Sequence, residues 1–155
     1  MKQTNIRQLA LWAILTALSV VLAYIHVPTP TGFLTLLDVG IYVTAFYLGS
    51  KSGAIVGGLS GFLIDMLLGY PQYMIYSLLA HGSQGFFAGW TGKKRPLGLV
   101  LAGLSMISWY FLAALFLGYG FGGAWGGVWG NILQNGLGLL LGYLLYRAIA
   151  KLNLK

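Results

Sequence analysis

Residues 37–68 read LDVGIYVTAFYLGSKSGAIVGGLSGFLIDMLL. Two apolar runs, about Leu37–Leu48 and Ala54–Leu68, flank the break Gly49-Ser50-Lys51-Ser52-Gly53. Glycine and serine clustered around a lysine punctuate a hydrophobic run rather than continue it. The stretch is therefore expected to form two spans. The first is short for a bilayer, whose hydrocarbon core takes roughly 20 apolar residues per helix. It is expected to tilt or to borrow residues from the loop before it.

The same punctuation divides the rest of the chain. One span covers about Ile6–Ile25 and stops at Val27-Pro28-Thr29-Pro30-Thr31-Gly32, where two prolines and a glycine forbid a continuing helix. Another covers about Gln72–Trp90, entered after Gly69-Tyr70-Pro71 and left at Thr91-Gly92-Lys93-Lys94-Arg95-Pro96. A fifth covers about Leu97–Leu117, a glycine-rich turn is expected over Gly118–Gly127, and a sixth covers about Val128–Ile149. The composition supports lipid as the solvent: 58% of the residues are hydrophobic and 7% charged, against about 25% charged in soluble domains. The first apolar run is too long for a signal-peptide core and lacks a small-residue cleavage site, so it reads as a retained helix. Residues 1–155 are expected to form a single integral-membrane, substrate-binding domain.

The nine basic residues fix a direction. Lys2 and Arg7 precede or begin span one, and Lys51 lies between spans two and three. Lys93, Lys94 and Arg95 lie between spans four and five, and Arg147, Lys151 and Lys155 end or follow span six. All fall on one side, and the loops after spans one, three and five carry none. The positive-inside rule then puts both termini in the cytoplasm. The expected fold class is an all-α membrane protein with six transmembrane helices and cytoplasmic N- and C-termini, placed as a multi-pass protein in the cell membrane.

Polar side chains at membrane depth are costly and usually face an interior or an aqueous cavity. Asp38 and Asp65 map to the non-cytoplasmic ends of spans two and three. For Asp38 a helix N-cap competes with function; for Asp65 an interhelical hydrogen bond does. In span four, Tyr73, Ser77, His81 and Gln84 recur at spacings of four, four and three and share one helix face, pointing to an interior binding surface. Asn131, Gln134 and Asn135 lie in the outer half of span six; such amides offer donors and acceptors to a heterocycle or a hydroxyl-bearing ligand. Span five adds Ser105, Ser108, Trp109 and Tyr110, with Trp109 a candidate to stack on a flat ring. Small-residue ridges run through Gly53, Gly57 and Gly61, through Gly85 and Gly89, and through Gly138 and Gly142. Ala13-x-x-x-Ala17 is a further ridge that lets another helix approach.

No cysteine is present, which excludes disulfides, thiolate catalysis and thiolate metal sites. There is no phosphate-binding glycine loop, no His-Glu-x-x-His metal motif and no pair of carboxylates at catalytic spacing. Neither an enzyme nor a cofactor or metal site is expected.

Over essentially its whole length the chain resembles the substrate-binding S components of energy-coupling factor (ECF) vitamin transporters. The resemblance is carried by Ala13-x-x-x-Ala17, the Pro28–Leu37 loop leading into Asp38, Gly49-x-x-x-Gly53-Ala54-x-x-Gly57-Gly58 followed by Asp65, and His81-Gly82-x-Gln84-Gly85. Among these proteins it is most similar to those handling hydroxymethylpyrimidine or pyridoxine-type vitamers; it departs from the aromatic and acidic pattern of thiamin binders. The resemblance implies high-affinity capture of a vitamin or precursor from outside, closure of the loop about Val27–Leu36, and docking on a membrane T component coupled to two cytoplasmic ATPase subunits. That the chain is a transport subunit, with ATP hydrolysis confined to those partner subunits, is also what the resemblance implies. It implies substrate contacts among His81, Gln84, Asn131, Asn135, Tyr73, Ser77, Trp109, Asp38 and Asp65, and a docking surface at Ala13 and Ala17. The competing expectation is a stand-alone small secondary carrier or channel for a polar solute, using Asp38, Asp65 and His81.

Overall fold

The computed structural model describes residues 5–29 and 32–152. Lys2, Lys155, and Pro30 and Thr31 in the loop after the first span lie outside the described residues. Helix α1 spans Ile6–Ala23, with Asn5 as N-cap accepting the Arg7 amide. The proline-bearing loop is an antiparallel hairpin of β1 (His26–Thr29) and β2 (Gly32–Thr35), with Val27 opposite Leu34. Then come α2 (Leu37–Leu68), a single 3-10 turn at Pro71–Tyr73, α3 (Met74–Ala88), a second such turn at Gly92–Lys94, α4 (Arg95–Phe116) and α5 (Gly120–Lys151). The result is an all-helical bundle with one small hairpin at its edge.

α1, α2, the segment Gly92–Phe116 and α5 are each long and apolar enough to cross a membrane. α3 has only 15 residues, a length of about 22 Å at 1.5 Å per residue. The bundle's outer surface is apolar too: Ile14, Leu18 and Val21 on α1, and Leu140 and Leu144 on α5, are exposed. In water such a surface would be a liability; in a bilayer it faces acyl chains.

α2 does not run straight. Gly49 has φ +77° and ψ −175°, a conformation essentially reserved for glycine. The helical residues on either side fold back on each other. A Cβ added at Gly53 would sit 2.9 Å from the Ala45 Cβ, and one added at Gly57 would sit 3.2 Å from the Ile41 Cγ2. Residues 41 and 57 in one straight helix would be about 24 Å apart, so 37–48 and 50–68 are antiparallel arms of a helical hairpin.

The glycine ridges set how close the arms and their neighbours lie. Gly53 abuts the Gly85 carbonyl, Gly57 the His81 carbonyl, and Gly61 the Ser77 carbonyl and the His81 ring. The second arm of α2 and α3 thus meet backbone to backbone, which is what small-residue interfaces permit in membranes. Gly138 and Gly142 let α5 approach Asp38 and Tyr42 in the same way. These ridges are used inside the bundle, whereas Ala13 and Ala17 lie on the exposed side of α1.

Both described chain ends lie at the Gly49 end. Trp12, early in α1, donates its indole N–H to Ser52 at 2.9 Å, and Tyr146, late in α5, stacks edge-on against Phe46 and Tyr47. The basic side chains gather there: Lys51 lies over the Trp12 ring, Arg95 over Phe46 and Arg147 over Tyr143.

Two local expectations need correcting. The glycine-rich stretch after α4 is not a turn throughout: only Gly118 and Gly120 take positive φ, and α5 begins at Gly120. Glycine weakens a helix without forbidding it, and here Phe121 and Trp125 set their rings edge-on against Phe111 of α4. Asp38 is not an N-cap: Leu36 holds that position, and Asp38 lies inside the first turn of α2.

Substituting Gly57→Val drives methyl groups into the His81 carbonyl. It is expected to lower stability by about 1–3 kcal/mol, whereas Gly122→Ala, where an added Cβ meets nothing within 4 Å, is expected to raise it by about 0.5–1 kcal/mol. Thermal unfolding in detergent measures both.

Candidate ligand-binding site

At the end of the bundle opposite Gly49, the hairpin, α2, α3, α4 and α5 surround a cavity of about 240 Å³. β2 contributes Phe33, Leu34 and Thr35; the far end of α2 contributes Ile64 and Asp65; Tyr73, His81 and Tyr110 come from α3, its entering turn and α4. The fourth side is the early part of α5, where Gly123, Gly126, Gly127 and Gly130 stand beside Asn131 and Gln134. The four glycines present no side chains, and this is what leaves the space open. The helix continues through them at the cost of backbone entropy.

Behind the cavity lies a buried polar chain centred on Asp38, which has no solvent exposure. Gln84 Nε2 donates to Asp38 Oδ2 at 2.8 Å, and Gln134 Nε2 donates to Oδ1 at 3.1 Å. Because the Gln84 amide nitrogen is committed to Asp38, its Oε1 faces His81 Nδ1 at 2.9 Å and accepts from it. Nδ1 also stands 3.4 Å from Asp38 Oδ1. In the neutral imidazole Nε2 is then an acceptor, and the Tyr110 hydroxyl, 3.0 Å away, donates to it. Ser77 Oγ, 2.7 Å from the Tyr110 oxygen, completes the line. Carboxylate, amides, imidazole and hydroxyls thus form one connected chain, the arrangement in which buried polar groups support one another.

The chain also reaches the hairpin. The Thr35 amide donates to Gln134 Oε1 at 2.8 Å, and Thr35 Oγ1 accepts from the Leu37 amide at 3.1 Å. Gln134 therefore holds the end of β2 with one amide atom and Asp38 with the other. A second group lies deeper: the Tyr42 hydroxyl donates to Asn135 Oδ1 at 3.0 Å, and Asn135 Nδ2 contacts Met106 Sδ at 3.6 Å.

The residues singled out from the sequence thus fall into four places. Tyr73, His81, Asn131 and Asp65 line the cavity. Asp38, Gln84 and Ser77 are buried behind it in the hydrogen-bonded chain, and Asn135 is in the deeper group with Tyr42. Trp109 lines a separate apolar groove with Gly58, Leu78 and Gly82, between α2, α3 and α4. Tyr110 and Gln134, noted in the sequence but not chosen, and the hairpin residues Phe33 to Thr35 belong to the cavity wall. Tyr110 is one residue from Trp109 and Gln134 one from Asn135, a rotation of about 100° on a helix, so composition did not say which of each pair turns inward.

Replacing Gln134 by leucine removes the donor to Asp38 and frees the Thr35 amide. The Gln134→Leu protein is expected to lose about 1–3 kcal/mol of stability and to exchange the Thr35 amide proton faster than the unaltered protein. Hydrogen–deuterium exchange resolved to residues 32–36 reads the second effect separately from the first.

Comparison with known proteins agrees with this architecture. The family model described as ECF-type riboflavin transporter, S component, matches residues 3–151. The thiamine precursor transporter HmpT of Lactococcus lactis subsp. cremoris is 42% identical over 128 residues, covering 80% of this chain and 76% of that protein. An uncharacterised protein of Pyrococcus woesei is 31% identical over 138 residues, covering 83% of this chain and 92% of its own length. The solved structure of the S component of a bacterial ECF transporter superposes with a TM-score of 0.76 at 24% identity, over 96% of this chain and 98% of that one; this is a likeness of fold. With a family model spanning nearly the whole chain, a relative 42% identical and the same helical fold, this chain belongs to the S components of ECF-type transporters, integral membrane proteins of transport.

Proposed function

We propose that this chain captures a single-ring vitamin or vitamin precursor, hydroxymethylpyrimidine- or pyridoxine-like, from outside the cell and delivers it inward together with a membrane T component and two cytoplasmic ATPase subunits. The observation that carries this reading is the cavity: partly open, polar on the side of His81, Tyr110, Asn131 and Gln134, and set at the end away from the basic residues. With six crossings, of which the arms 37–48 and 50–68 are two, the positive-inside rule puts the basic end and both termini in the cytoplasm and the cavity on the outer side of the cell membrane. ATP hydrolysis belongs to the partner subunits.

Size favours one ring over the flavin tricycle in the family model's name. About 240 Å³ is below the roughly 300–1,000 Å³ of sites for drug-sized ligands. The name of the Lactococcus relative, a thiamine precursor transporter, supports the same choice. In this reading His81, Asn131, Tyr73 and Asp65 touch the ligand. Asp38, Gln84 and Ser77 hold His81 and Tyr110 in position, Asn135 fixes Tyr42 behind them, and the hairpin covers the ligand, tied down through Gln134. Ala13 and Ala17, exposed on α1, present a low ridge on which a helix of the T component packs.

Purified protein exposed to hydroxymethylpyrimidine, pyridoxine, thiamin and riboflavin in turn tests the reading. A single-ring member is expected to raise the unfolding temperature, the stabilisation reaching about 2.7 kcal/mol at a hundredfold excess over Kd, and silence across the panel would overturn it. Ala13→Trp is expected to leave that binding intact and to abolish co-purification with the T and ATPase subunits. Substrate uptake into vesicles by this chain alone would speak for a stand-alone carrier instead.

A further inference from the structure

Asp65 is the acid of the cavity wall, and the hydrogen-bonded chain answers it on one side only, where Ser77 lies beside it. It is 3% exposed, lines the cavity, and its Oδ2 meets no hydrogen-bond donor among the described residues. No lysine or arginine among the described residues pairs with it; the ion pair found among them joins His81 to Asp38. Its place in the fold makes the deficit larger. Asp65 sits in the last turn of α2, which ends at Leu68 with Gly69 in the left-handed conformation. A helix C-terminus carries partial negative charge and disfavours a carboxylate. Asp38, by contrast, sits in a first turn and has two amide donors. A buried acceptor without a donor costs about 1–3 kcal/mol, more for a charged group, so the cavity is built short of one donor.

We infer that the ligand supplies it: Asp65 is the specificity-determining residue, and it selects a basic nitrogen heterocycle that turns an N–H donor toward Oδ2, the amine-bearing edge of a 4-aminopyrimidine. This deepens the function proposed above and rests on it. The exocyclic amine donates to the carboxylate, and protonation of the ring places part of its positive charge on that amine, opposite the carboxylate. A ring with a carbonyl at that position puts an acceptor where the amine put a donor, and its lactam N–H lies one ring position away, so it is disfavoured unless the ring shifts in the cavity. Tyr73, His81 and Tyr110 share this wall and provide aromatic surface for the ring.

The test compares two ligands that differ in one group: 4-amino-5-hydroxymethyl-2-methylpyrimidine and its 4-oxo counterpart, with Kd measured by calorimetry on the whole protein in detergent. The unaltered protein is expected to prefer the amine by at least about tenfold, the lower range of a hydrogen bond to a charged group. In Asp65→Asn the carboxamide nitrogen can donate to the carbonyl, so the preference is expected to shrink or invert while the unfolding temperature without ligand changes little or rises. A protein that binds both pyrimidines equally overturns the inference, and that measurement needs no variant to fold. An Asp65→Asn protein that keeps the full preference for the amine overturns it as well. If pyridoxine or riboflavin binds and neither pyrimidine does, the role given to Asp65 falls and capture of a vitamin stands; if no ligand binds, both fall.

Discussion

A carboxylate with no solvent exposure sits where water cannot reach it, and the arrangement around Asp38 follows from that constraint. An unanswered anion at membrane depth is among the costlier things a fold can contain. Asp38 is answered from two other helices: Gln84 of α3 and Gln134 of α5 donate to its two oxygens, and His81 stands beside it. Those bonds register α3 and α5 against the first arm of α2. They also fix which way His81 faces, because Gln84 spends its nitrogen on Asp38 and its oxygen on the imidazole.

The glycines make this geometry reachable. Side-chain amides are short, so the helices carrying them must come close. Gly138 permits α5 to lie against Asp38, and Gly57 and Gly61 permit α3 to lie against the second arm of α2 with His81 at the contact. In lipid there is little hydrophobic drive between helices, so close packing and interhelical hydrogen bonds hold the bundle together. Polar chain and glycine ridges are therefore one device. The glycines early in α5 do the opposite task, leaving room that a larger side chain would fill.

The same logic separates the two acids. Asp38 begins a helix and is surrounded by donors; Asp65 ends one and faces a cavity. The first belongs to the folded protein by itself. The second keeps one oxygen without a donor among the described residues, as expected where a site is tuned for a ligand rather than for stability.

Much of this was legible in the residues. Apolar run lengths determined a lipid-embedded helical protein, since backbone groups in hydrocarbon must be satisfied within a helix. The Gly49–Gly53 break marked the reversal in α2, and the four-four-three spacing of Tyr73, Ser77, His81 and Gln84 placed one polar face on span four, because helical periodicity is a property of the chain. What the sequence could not decide was rotation and partner. Whether Tyr110 or Trp109, Gln134 or Asn135 faces the cavity turns on about 100° of helix rotation, set by which neighbouring helix packs against which glycine. Nor could it show that Gln134 clasps Thr35, 99 residues away, or that the proline loop closes into a hairpin. Those contacts are long-range, and only the packed bundle brings their partners within hydrogen-bonding distance.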